Sequence, residues 1–145
     1  MPRLTFLLTG LAVMGCVETA SLPADPTAAI DSMLTASAAA WNRGDLDGFM
    51  STYVDDSSTT FLTASGLGEG YEWIRNRYAP RFEPGAARDS LRFTELRVRP
   101  LGRDHALATA RYVLFRRDST TATGPFTVVL RRTEQGWKMI HDHTS

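Results

Sequence analysis

The chain has a single cysteine, Cys16, so no intrachain disulfide can form. It has no surplus of charge, since 16 basic and 16 acidic side chains give a formal net charge of +0. Without a basic run there is no electrostatic footprint for nucleic acid, and without an acidic block there is no solvating tail. The apolar run Leu4 to Gly15 is too short to cross a bilayer comfortably and has the length of a signal-peptide core. No Ser-His-Asp spacing, no cofactor fingerprint and no internal repeat is present. Gly66, Gly68 and Gly70 have the wrong spacing for a phosphate-binding loop and read as loop punctuation. What is there, 145 residues at 43% hydrophobic and 22% charged, is the size of one ordinary globular domain.

The first segment reads as export machinery. Met1-Pro2-Arg3 is a short basic start, the apolar run follows, and Val13-Met14-Gly15-Cys16 resembles a bacterial lipobox. That reading makes residues 1–15 a signal peptide and Cys16 the lipidated first residue of the mature chain. The alternative is a plain secretory signal cut near Ala20 or Ala24, with Cys16 discarded. Residues 16–26, small, polar and proline-containing, form a flexible tether. The protein is then expected in the cell envelope on a lipid anchor, or periplasmic or secreted without one. Losing Arg3 leaves the mature chain with 15 basic and 16 acidic groups, a net charge of −1.

From residue 27 onward one α+β domain is expected. Asp25 and Pro26 signal the start of a helix whose stripe is Ile30, Met33, Leu34, Ser37, Ala38 and Trp41. Gly44 stops it, and Asp45 caps a shorter helix carrying Leu46, Phe49, Met50 and Tyr53. A strand over Ser58–Thr63, a glycine loop and a third helix over Tyr71–Phe82 follow. Leu91–Phe93 and Leu96–Val98 alternate in phases that disagree by one residue, which places a bulge near Thr94–Glu95. Ala106–Arg116 reads as a strand, Arg117–Pro125 as a polar hairpin loop, and Phe126–Arg132 as another strand. Gly136 opens the last strand, in which Trp137, Met139, His141 and His143 share one face if alternation is unbroken, and Lys138, Ile140 and Asp142 the other. Several strands are apolar on both faces. Helices can cover one face, so the other is expected to meet a second copy of the chain in a homodimer.

Trp41-Asn42-Arg43-Gly44-Asp45, Phe49 to Asp55, Gly70 with Ile74, and the closing Gly136-Trp137…His141-Asp142-His143-Thr144-Ser145 resemble the SnoaL-like branch of the nuclear-transport-factor-2-like superfamily. The resemblance covers roughly Pro26 to Ser145. It implies a curved sheet wrapped against three helices as a cone, an open pocket inside, and dimerisation through the sheet. Its relatives include ketosteroid isomerases, polyketide cyclases, epoxide hydrolases, dehydratases and a kinase association domain, so fold does not fix function.

Two functions from different classes follow: an accessory protein binding a small polar or anionic ligand, or a cofactor-independent isomerase, cyclase, dehydratase or hydrolase. Arg111, mid-strand between apolar neighbours, needs either an anionic ligand or a carboxylate partner such as Asp55, Asp56 or Asp142. His141 and His143 are candidates for acid–base work or hydrogen bonding, with Asp55 a third candidate base. Their His-x-His spacing lacks a designated third ligand, and no metal or cofactor is expected. Tyr53, Trp41 and Thr127 complete the expected ligand-binding set with Arg111, His141 and His143. The ketosteroid isomerase set of a strand aspartate, a tyrosine and a protonated acid has no clear placement on the sequence. Of the epoxide hydrolases' Asp-Arg-Asp group, Arg111 with Asp55 or Asp56 is only a loose echo.

Overall fold

The computed structural model describes residues 24–145, so Cys16 and the lipobox-like segment lie outside the described residues. Asp25 accepts hydrogen bonds from the Thr27 amide (3.0 Å) and hydroxyl (2.6 Å), and Pro26 itself takes the N-cap position. Helix α1 (Thr27–Arg43) therefore starts one residue later than a cap at Asp25 predicts. Its buried stripe is Ile30, Leu34, Ser37, Ala38 and Trp41, with Ala40 beside it. Gly44 ends it at φ 78°, a left-handed conformation that side chains disfavour, and its amide donates to the Trp41 carbonyl at 3.0 Å. Asp45 then caps α2 (Leu46–Met50) by accepting from the Gly48 amide at 2.8 Å. Tyr53 falls outside that single turn.

Six strands follow the order β2-β1-β6-β5-β4-β3 in one sheet. They are β1 (Thr60–Thr63), β2 (Gly66–Glu69), β3 (Ser90–Pro100), β4 (His105–Arg116), β5 (Ser119–Thr133) and β6 (Gly136–Thr144). All neighbours are antiparallel except β1 and β6, which run parallel. Between β2 and β3, α3 (Tyr71–Tyr78) passes into a 3-10 turn over Ala79–Arg81. The expected helix to Phe82 stops early because Pro80 lacks an amide to donate.

Two expected loops are strands. The segment Arg117–Pro125 is a turn only at Arg117 and Asp118, whose φ values of 47° and 67° suit a tight hairpin. The rest belongs to β5, exposed on both faces over Ser119–Thr123, so its threonines carry β-propensity without alternation. The glycine segment forms β2, where Gly68, lacking a Cβ, leaves room for the Trp73 ring to pack against the strand.

Three register shifts bend the sheet. The shift between Thr94 and Arg97 is the expected one, with Glu95 at φ 59°. A shift in the β4–β5 pair lies at Leu114/Phe115. Neither that shift nor the third was anticipated: in the third, Val129 pairs with His141 and Leu130 with Met139, so Ile140 is an extra residue in β6. The helices close over the concave face, where Ala106, Ala108, Val128 and Leu130 are fully buried.

Candidate functional site

The Ile140 bulge decides what the sheet presents to the interior. Before it, Trp137 and Met139 point inward, and after it the phase flips, so Asp142 points inward and is 5% exposed. His141 and His143 are turned to the outer face. The expectation of one face holding Trp137, Met139 and both histidines is therefore overturned by a single inserted residue.

Asp142 sits against an aromatic wall. The segment Thr52–Val54 docks beside β6 like a short extra strand: the Met139 amide donates to Thr52 (2.8 Å) and the Val54 amide to Met139 (2.9 Å). That docking brings the Tyr53 hydroxyl to donate to Asp142 Oδ2 at 2.6 Å. Thr144 donates to Asp142 Oδ1 at 2.8 Å. Burial pushes the Asp142 carboxyl above the usual carboxylate range, against the opposing pull of those two hydrogen bonds and the histidine charges. Burial, aided by the Asp142 charge, also holds the phenols of Tyr53 and Tyr78 above their ordinary range.

These groups line a cavity of about 230 Å³. The helices contribute Leu34, Trp41, Phe49 and Tyr78, and the sheet contributes Phe61, Phe93, Tyr112 and Phe126. Ring contacts lock the wall: Trp41 meets Phe49, Tyr78 and Phe82 edge-on at 5.4, 6.2 and 5.2 Å, and Tyr78 stacks on Phe61 at 5.7 Å. Arg77 and Arg81 line its exposed rim. Chemically this is an apolar cup with one buried carboxyl and phenols beside it.

Of the residues expected to bind ligand, Trp41 and Tyr53 line this cavity and the others do not. Arg111 stands on the outer face, where its Nε lies 3.5 Å from Glu95 Oε1 at the β3 bulge. It thus pairs with none of Asp55, Asp56 and Asp142, nor with a cavity ligand. Thr127 lies in register between Thr109 and His143 on that face. His141 Nδ1 is 2.7 Å from Thr60 Oγ1, and His143 and Asp55 are exposed. Sequence reasoning missed Asp142, Tyr78, Arg77 and Arg81. One signal for Asp142 existed, because Met139 and Ile140 are adjacent apolar residues in a strand. That is the same phase conflict that located the Glu95 bulge.

A family model described as the SnoaL-like domain matches residues 30–145. Among solved structures, the chain is similar to an NTF-2 like protein of unknown function from Shewanella oneidensis MR-1. The two share 28% identity over 83% of this chain and 99% of that one, with TM-score 0.74. An NTF2-like protein of unknown function from Pseudomonas putida KT2440 aligns at 21% identity over 86% and 89%, TM-score 0.69. A Streptomyces avermitilis protein of the NTF2-like family, provisionally named a dehydratase, aligns at 22% identity over 82% and 94%, TM-score 0.67. No match is found among curated proteins.

Proposed function

The chain belongs to the SnoaL-like family, and from that premise we propose that its cup binds a small, largely apolar molecule by one hydrogen-bonding oxygen. The observation that carries this reading is the pairing of a cavity of about 230 Å³, walled by aromatic rings, with a single buried carboxyl at Asp142. Such a cavity gains affinity from apolar contact, and a few placed polar groups orient what enters. The Asp142 carboxyl, held in place by the Tyr53 and Thr144 hydroxyls, is the group on the floor that can hydrogen-bond a ligand hydroxyl or other oxygen. Removing Arg111 from the cavity wall moves the expected ligand away from a strongly polar molecule.

Titration of the full chain with 2-naphthamide, read by equilibrium dialysis, tests this. Saturable one-site binding is expected, and Leu114→Trp, which fills the cup from its wall, should abolish it. Binding that survives Leu114→Trp would place the ligand elsewhere and defeat the reading.

A second reading, acid–base catalysis, is favoured by one observation: a carboxyl with a raised pKa at a phenol donor is the kind of group that proton transfer uses. The provisional dehydratase name of the Streptomyces relative is consistent with it. The two readings part at Asp142→Asn. That variant keeps shape and hydrogen bonding, so a binding floor largely retains affinity, whereas a proton-transfer site loses turnover.

Export, a lipid anchor at Cys16 and a homodimer through the outer sheet face complete the proposal. Leu107, Val129 and Ile140 stay half-buried on that face in one chain, the condition that a second copy would relieve. Material extracted in detergent should start at an acylated Cys16 by mass spectrometry and sediment at twice the monomer mass. An unmodified Cys16 or a monomer removes the corresponding part.

A further inference from the structure

The two arginines at the cavity rim combine a cavity-lining position with the lack of a partner, which no other described arginine does. Arg43, Arg75, Arg111 and Arg116 each pair with an acid, at 3.3, 2.6, 3.5 and 2.6 Å. Arg88, Arg92 and Arg132 lie over the rings of Phe82, Phe115 and Trp137. Among the described residues, Arg77 and Arg81 have no acid, aromatic or side-chain hydrogen-bond partner, and of all the arginines these are the two that line the cavity. They stand four apart along α3 and its 3-10 extension, on either side of Tyr78, so their side chains share one edge of the opening. Their charge reaches inside: it partly offsets the upward push that burial and Asp142 give the Tyr78 phenol.

We propose that Arg77 and Arg81 form an anion clamp at the mouth, and that the ligand is an amphiphilic organic monocarboxylate. Its apolar body fills the ring-walled cup, the one oxygen at its far end meets Asp142, and its carboxylate stays at the half-wet rim. This deepens the cavity-binding reading and rests on it. The rim geometry favours the carboxylate outward rather than inward. A carboxylate carried to the floor would meet Asp142, an acid that already lacks solvation, whereas at the rim it keeps part of its water and gains guanidinium donors. Guanidinium forks match carboxylate oxygens in pairs, which a lone ammonium does not. A cup apolar inside and cationic at its edge also selects against neutral analogues of the same shape.

The test compares 2-naphthoate with 2-naphthamide, two probes of one shape that differ in charge, by equilibrium dialysis against the full chain. The carboxylate should bind about tenfold more tightly at low salt, and the preference should shrink as salt rises. Arg77→Gln with Arg81→Gln should bring 2-naphthoate down to the level of 2-naphthamide, while the double lysine variant retains part of the preference. Equal binding of the two probes to the wild type, or a preference that persists in the double glutamine variant, overturns the clamp and leaves the cavity reading standing. Failure of both probes to bind overturns the cavity reading and the clamp together.

Discussion

Replacing Trp41 with alanine is expected to lower the free energy of unfolding by about 4 kcal/mol in urea denaturation. Trp41 is 5% exposed and touches three other rings, Phe49, Tyr78 and Phe82, at 5.2 to 6.2 Å. Edge-on ring pairs contribute about 0.5–1.5 kcal/mol each beyond area burial, and alanine removes all three. The indole also donates to the Asp89 carbonyl at 2.9 Å, which ties α1 to the start of β3. Its neighbour Asn42 does the same with Leu91, donating at 3.0 Å and accepting at 2.7 Å, so the helix is stitched to the strand at two successive residues. Alanine leaves one stitch and an unpaired carbonyl. Trp41→Phe keeps the ring contacts in part and should cost markedly less. A loss under about 1.5 kcal/mol for the alanine variant would mean that the ring cluster is not the core of the helical layer.

Tyr53→Phe is expected to cost about 2 kcal/mol near neutral pH, because it removes a hydroxyl donor from a buried carboxyl. The cost should depend on pH in a stated direction. Burial raises the Asp142 pKa in the folded state above its unfolded value, so between those two values the folded protein holds a proton that the unfolded chain has released. The stability that Asp142 permits is therefore complete below the unfolded pKa and declines as pH rises towards the folded one, the reverse of an ordinary salt-bridged aspartate. The Tyr53 hydrogen bond opposes that rise by favouring the ionised form. Phenylalanine should carry the decline to higher pH, and Asp142→Asn should flatten it, since the amide does not titrate. Urea midpoints measured from about pH 4 to pH 8 for wild type and both variants provide the check. Parallel profiles for all three would show that Asp142 does not titrate differently on folding.

Local features were the readable ones. The α1 stripe, the Gly44 stop and the Asp45 cap each depend on residues within one or two turns, so side-chain spacing alone identifies them. The Glu95 bulge was readable for a similar reason, as a visible break in alternation. The strands at Gly66–Glu69 and Ser119–Pro125 were not, because their buried positions are the glycines Gly68 and Gly124, which leave no alternation of apolar side chains to detect. Trp41 and Tyr53 came through as cavity residues since large aromatic groups on helical spacing face a core in almost any packing.

The sequence by itself determined the α+β class, the family and the order of the elements apart from β2. Those follow from propensity, caps and motifs that act over short stretches of chain. The identity of the polar group inside the cup was decided only by tertiary structure. Arg111 and the two histidines are polar residues on apolar strands, which makes each an equal candidate until the faces are known. Face depends on register, and register in β6 depends on how it pairs with β5 across a turn and with β1 from far along the chain. One residue looped out at Ile140 exchanges Asp142 for His141 and His143, because side chains along a strand alternate with period two.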